Sequence, residues 1–180
     1  MDLNDCLVIL NKQPKLSSNE VAALVKKILG AKRSGHAGTL DPQVSGVLPV
    51  ALGKATKLLQ FLATKDKTYV CIIKFKKIMK KDEIENLFKK FTGEITQTPP
   101  KQSAVRKIPR KRTIYYIKFL EQSKENPRLV LFETKVDAGT YIRTLCDDIG
   151  KICGGARMEE LRRTTTGKIG EGLAFTLQQL

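Results

Sequence analysis

The chain has 180 residues, enough for one domain with a substantial core or one domain plus a small appendage. Its 33 Lys and Arg against 18 Asp and Glu give a formal net charge of +15 at neutral pH. So large an excess repels itself unless a polyanion is present, which makes nucleic acid the leading partner. An anionic membrane surface would call for an exposed basic amphipathic helix, and none is found; no stretch approaches the length that spans a bilayer. No signal-peptide pattern is seen either, because Cys6–Leu10 is too short for the apolar region and follows Asp2 and Asp5. Cys6, Cys71, Cys146 and Cys153 lie in apolar runs without a C-x-x-C pair. That speaks against zinc and disulfides and for reduced, buried thiols in an intracellular protein.

In chain order, Cys6–Leu10 reads as a short buried strand and Asn11–Leu16 as a loop. Ser17 and Glu20 have capping-box spacing, and apolar Val21, Leu24, Val25, Ile28 and Leu29 follow at helical period. With Lys26 and Lys27 in the last turn and Gly30 as the stop, a helix is predicted over 18–29. Ala31–Gly46 has three glycines and a proline and no apolar period, so it reads as a long loop of the kind that carries function. Val47–Leu62 is apolar and turns helical towards its end; Tyr69–Phe75 is a strand, and Asp82–Phe91 a helix with Ile84, Leu87, Phe88 and Phe91 on one face. Gly93–Arg112 reads as a polar, basic connector. Ile114–Leu120 and Leu129–Val136 read as a hairpin joined through Gln122–Arg128. Thr140–Cys153 is helical by period and ends at Gly154-Gly155; a short helix near Met158–Arg163 and a terminal segment, Leu173–Leu180, complete the chain. The connections around the hairpin are too short for crossovers, so the class is α+β with a largely antiparallel sheet.

The loop Ser34-Gly-His-Ala-Gly-Thr-Leu-Asp-Pro-Gln-Val-Ser-Gly46 is the first candidate for chemistry. Its glycines allow close approach of backbone to a ligand, and Asp41-Pro42 fixes a turn that aims a carboxylate. Taken singly, an Asp before Pro is a turn residue, and His36, the only histidine, is a hydrogen-bonded structural group. Their co-occurrence in one glycine-lined loop of a strongly basic protein marks a candidate active loop.

The run G-H-A-G-T-L-D-P-x-x-S-G-V-L-P-V-A-L-G-K-A-T-K from Gly35 resembles the signature loop of the TruB/dyskerin family of RNA pseudouridine synthases. Lys67-Thr-Tyr69 resembles the family's K-x-Y, Ala138–Leu145 its G-T-Y-I-R-[ST]-L, and Gly154–Gly167 its G-A-x-M-x-E-L-R-R-T-x-x-G, all in the family's order. The resemblance implies a pseudouridine synthase catalytic fold, a mixed and mostly antiparallel sheet flanked by helices, in a single catalytic domain spanning 1–180. It implies detachment of uracil from its ribose and reattachment through carbon, on a base flipped from its stack, without cofactor or metal. Asp41 matches the catalytic aspartate, acting as nucleophile or as base near the sugar. Tyr69 matches the aromatic that stacks on the flipped base, and Arg143 the arginine that pairs with the aspartate and keeps it ionised. His36 matches a histidine that assists RNA binding, and Leu161 an apolar residue lining the uracil pocket. Lys12 matches a basic residue of the N-terminal K-x-P segment, although Lys15 stands where the family usually has glycine.

Residues 101–112 carry six Lys or Arg and no acid. In the family this stretch is the thumb loop, about 93–112, which closes over RNA; Arg106, Lys107, Arg110 and Lys111 would supply phosphate contacts that position RNA without reading its sequence. The compact passage from Pro99 to Tyr115 and Met158–Leu161 resemble the dyskerin branch, the catalytic subunit of H/ACA guide-RNA particles. The implied partners are a tRNA or rRNA substrate, an H/ACA guide RNA and the small particle proteins; the implied place is the cytoplasm, or the nucleolus in a eukaryote. Two departures stand against this: the sequence ends at Leu180, where the family continues into a C-terminal PUA domain, and the N-terminal extension is missing. The alternatives are a stand-alone synthase acting on the tRNA T-arm and a non-catalytic RNA-binding protein.

Overall fold

The computed structural model describes residues 5–100 and 105–180. Among them nine strands and four α-helices follow one another: β1 (Leu7–Lys12), α1 (Ser18–Ile28), β2 (Ser34–His36), β3 (Ser45–Leu52), a 3-10 turn (Gly53–Leu58), α2 (Leu59–Ala63), β4 (Lys67–Phe75), α3 (Lys81–Phe91), β5 (Gly93–Gln97), β6 (Arg110–Gln122), β7 (Leu129–Val136), α4 (Ile142–Cys153), β8 (Ala156–Thr166) and β9 (Ile169–Gly170). The chain divides into two compact units, Met1–Lys67 with Arg162–Leu180, and Thr68–Leu161.

The first unit is organised by β3, a near-continuous apolar run of which Val47, Leu48, Val50, Ala51 and Leu52 are fully buried. β1 pairs antiparallel with it from Leu7↔Ala51 to Lys12↔Gly46. β2 pairs with it at Ser34↔Leu52 to His36↔Val50, while the end of β8 runs parallel to it at Ser45↔Arg162 and Gly46↔Arg163. Gly46 is obligatory there: at φ +109° an added Cβ would fall 2.1 Å from the Arg163 carbonyl oxygen. Helix α1 begins where its capping box predicts, with the Glu20 amide donating to Ser17 Oγ and the Ser17 amide to Glu20 Oε2. It buries Val21, Ala22 and Val25.

In the second unit β4, β7, β6 and β5 lie side by side in that order. β6 pairs antiparallel with β5 and with β7, so the expected hairpin forms. The amphipathic helices α3 and α4 bury Ile84, Leu87 and Phe88, and Ile142, Leu145, Cys146 and Ile149. The Phe88 and Phe132 rings meet with centroids 5.2 Å apart. Cys71 Sγ and Cys146 Sγ lie 3.9 Å apart as buried free thiols; that mutual hydrogen bond and burial push the Cys146 thiol above its usual range.

Three expectations change. The short helix near Met158–Arg163 is part of strand β8. The basic connector Gly93–Arg112 contains β5 and the first residues of β6; residues 101–104 of its charged run lie outside the described residues. The loop Ala31–Gly46 contains the short strand β2. Among the described residues no helix is long and apolar enough to cross a membrane.

Candidate active site

Asp41 is exposed at the start of a turn closed by the Val44 amide donating 2.9 Å to the Asp41 carbonyl. Pro42 at the next position presets that turn. The loop around it is held by side chains from elsewhere in the first unit. Ser18 Oγ both accepts from the Leu40 amide (2.8 Å) and donates to the Leu40 carbonyl (3.0 Å). Lys12 Nζ donates to the carbonyls of Gln13 (3.0 Å), Pro42 (3.0 Å) and Val44 (2.7 Å), which occupies its three N–H groups. Lys12 is 1% exposed, so its ammonium reaches the loop backbone and not solvent, where an RNA phosphate would be. Burial lowers its pKa, and the charge of Asp41 acts against that shift, as does Glu20.

Arg163 does for Gly38 what Lys12 does for Pro42. It is 1% exposed, with Nε donating to Val47 O (2.7 Å) and Nη2 to Gly38 O (2.8 Å). Gly38 sits at φ +72°, and a Cβ there would come within 3.0 Å of Arg163 Nη1 and 3.4 Å of Lys67 Cε. Lys67 is itself buried, donating to Ala63 O (2.8 Å) and Lys65 O (2.5 Å); burial and the Arg163 charge lower its pKa to about 8. Lys67 and Arg163 stand inside sequence motifs, yet their clamping roles carry no sequence signal, since buried basic residues are rare.

His36 is on β2 with Nε2 3.0 Å from Asn19 Oδ1. With that oxygen as acceptor, Nε2 carries the proton and Nδ1 is left as a buried acceptor without a partner. Burial and then the Arg163 charge lower its pKa, so the imidazole is neutral at physiological pH. The chain before Asp41 holds one further departure from ease: Lys15, whose amide donates to Pro42 O (2.8 Å), has φ +85°. A glycine would sit there without strain.

Tyr69, Arg143 and Leu161 belong to the second unit. Tyr69, in β4, is 8% exposed. Arg143 is exposed in the first turn of α4, whose start is fixed by a side chain the sequence reading missed: buried Gln97 accepts from the Tyr141 amide (2.9 Å) and donates to the Tyr141 carbonyl (3.1 Å). Leu161 is half-buried on β8. Arg106, Lys107, Arg110 and Lys111 are exposed; Lys111 Nζ pairs with Glu94 at 2.9 Å and Lys107 Nζ donates to Val105 O at 3.3 Å.

Comparison with known proteins gives the family of the chain. Residues 26–142 match the TruB family pseudouridylate synthase N-terminal domain, and 143–180 the tRNA pseudouridylate synthase B C-terminal domain. A probable tRNA pseudouridine synthase B of Archaeoglobus fulgidus is 47% identical over 97% of this chain and 53% of its own length. A chain in the crystal structure of a Cbf5-Nop10-Gar1 complex superposes with TM-score 0.92 at 46% identity, covering 99% of this chain and 54% of that one. One in an H/ACA RNP bound to a substrate RNA containing 2'-deoxyuridine superposes at 0.87 with 43% identity, over 99% of this chain and 53% of its own. The chain spans about half the length of the proteins it matches. With motifs, fold and both matched regions in agreement, the chain belongs to the TruB family of pseudouridylate synthases.

Proposed function

We propose that this chain is the catalytic domain of an RNA pseudouridine synthase that isomerises uridine to pseudouridine in tRNA or rRNA, with residues 1–180 acting as one domain in the cytoplasm, or in the nucleolus of a eukaryote. The observation that carries the reading is an exposed Asp41 on a loop whose carbonyls are tied by buried Lys12 and Arg163. A catalytic carboxylate needs a fixed backbone beneath it, because misplacement by about 1 Å can cost on the order of 10²-fold in rate. In the reaction the bond from N1 to C1′ breaks, C5 bonds to C1′, the C5 proton leaves to water and N1 gains one. Asp41 acts near the sugar, Tyr69 stacks on the flipped base, Arg143 holds the Asp41 charge, and Leu161 lines the uracil pocket. His36, neutral and held by Asn19, assists RNA binding. Arg106, Lys107, Arg110 and Lys111 contact phosphates. Lys12 is read as a positioning residue for the Asp41 loop.

Two modes of RNA delivery have support. The likeness to chains in H/ACA complexes favours guiding by H/ACA RNA with small particle proteins. The names of the curated relatives favour a stand-alone tRNA enzyme. Tritium release from RNA labelled at uridine C5, with and without guide RNA, tests both. Release with wild type and none with Asp41→Ala is the expected result. Equal counts from the two, in every condition, would overturn the enzymatic reading, and release from tRNA alone would favour the stand-alone mode.

A further inference from the structure

The first unit has a second feature that the Asp41 loop does not use. A cleft of about 400 Å³ is lined by Asp5, Lys32, Arg33, Gly53, Lys54, Thr56 and Lys57. Its walls are tied by backbone bonds: the Gly53 amide donates to Arg33 O (2.9 Å), Thr56 Oγ1 to Gly53 O (2.8 Å), and the Lys54 amide to Asp5 Oδ1 (2.7 Å). Asp5, the one acid among these lining residues, is engaged by that amide and by Lys54 Nζ at 3.6 Å. Lys32, Arg33 and Lys57 are exposed and leave the cleft with an excess of three positive charges. The cleft opens where β3 ends, and Asp41 lies just before β3 begins. Eight residues of strand put these ends about 23 Å apart at roughly 3.3 Å per residue.

We propose that this cleft binds the phosphate backbone of the RNA away from the target nucleotide, as a second electrostatic footprint besides the basic stretch at 105–112. The inference rests on the RNA-directed reading given above. Three unshared cations on a fixed concave surface match a phosphodiester strand, which gains affinity from counterion release at each contact. The separation from Asp41 means that only an RNA extending well beyond the target uridine reaches both places.

The test compares wild type, a Lys32→Gln/Arg33→Gln/Lys57→Gln variant and a control with Lys77→Gln, Lys89→Gln and Lys90→Gln at exposed positions of the second unit. Each is titrated with a long stem-loop RNA and with a short strand holding only the target uridine and its immediate neighbours. For the long RNA the cleft variant should lose about 2–3 units of salt slope, at roughly 0.7–0.9 per contact, while the control keeps more of it. Short-strand binding should be the same in cleft variant and control. Equal slopes for cleft variant and control on the long RNA would overturn the proposal, as would equal losses on both RNAs. Protection of Lys32 and Lys57 from an amine-reactive reagent by inorganic phosphate, and not by RNA, would assign the cleft to a small anion and overturn it too. Tritium release separates this inference from the enzymatic one. Long RNA bound through the cleft without release keeps the cleft and loses the enzyme; release with a slope indifferent to the cleft variant does the reverse.

Discussion

The Asp41 loop and the basic stretch at 105–112 both depend on positive side chains, and use them in opposite ways. Around Asp41 the cations are buried: Lys12, Lys67 and Arg163 donate to backbone carbonyls and fix the path of the chain. Along 105–112 Arg106, Lys107, Arg110 and Lys111 are exposed, and Lys111 pairs with Glu94. A buried cation costs desolvation and is retained only where its hydrogen bonds are complete, so it sets geometry. An exposed cation adds little to the fold and remains available to phosphate.

Asp41→Asn should show the largest effect, a loss of tritium release by about 10³-fold or more, with little change in thermal stability because the turn closes on the Asp41 carbonyl. A parallel fall in the melting midpoint would mean that the aspartate is structural. Next comes Arg163→Met, which strips donors from the Gly38 and Val47 carbonyls; about 3 kcal/mol of stability should go in denaturant titration. Arg163→Lys should not restore it, because one ammonium cannot copy the guanidinium fork.

Lys67 adds a pH signature. Its folded pKa, about 8, lies below the 10.5 of the ordinary side chain, so below pH 8 both states are protonated and the burial penalty is fully present. Between about 8 and 10.5 the unfolded chain holds the extra proton, and stability rises with pH, by at most about 3 kcal/mol. The difference in stability between wild type and Lys67→Met should change in that window and be flat below it. A flat difference throughout would remove Lys67 from the set of buried cations. Lys15→Gly relieves a left-handed residue worth about 1–2 kcal/mol, against about 0.5–1 for the added freedom of glycine when unfolded. The net gain of about 0.5–1 kcal/mol should raise the melting midpoint by about 2 °C. The smallest effect on stability, within about 0.5 kcal/mol, belongs to neutralising Arg106, Lys107, Arg110 and Lys111 together. That variant should instead flatten the salt dependence of RNA binding, with Lys111 contributing least because Glu94 holds it.

Much of this was legible in the residues. Helix α1 starts at its capping box because that device is local, and α3 and α4 follow their apolar period. Strand β8 was not legible: Met158-Glu-Glu-Leu-Arg-Arg163 is rich in helix formers, and pairing with β3 through Gly46 overrides that preference. The start of β6 hid for a different reason. Arg110–Arg112 pair with Ile95–Gln97 as a run of charged side chains, so no apolar alternation marks them. The motif singles out Asp41, but the anchoring of its loop leaves no mark in the sequence, because Lys12 and Arg163 act on carbonyls that any sequence would supply.

The sulfur pair in the second unit makes a built-in gauge. Cys71 and Cys146 are closed to reagent, whereas Cys6 and Cys153 are partly open. A thiol reagent under native conditions should therefore modify two positions quickly and two only as fast as that unit breathes open. Counting slow modifications by mass would clock the opening of the Thr68–Leu161 unit, and so tell whether RNA quiets it when it binds.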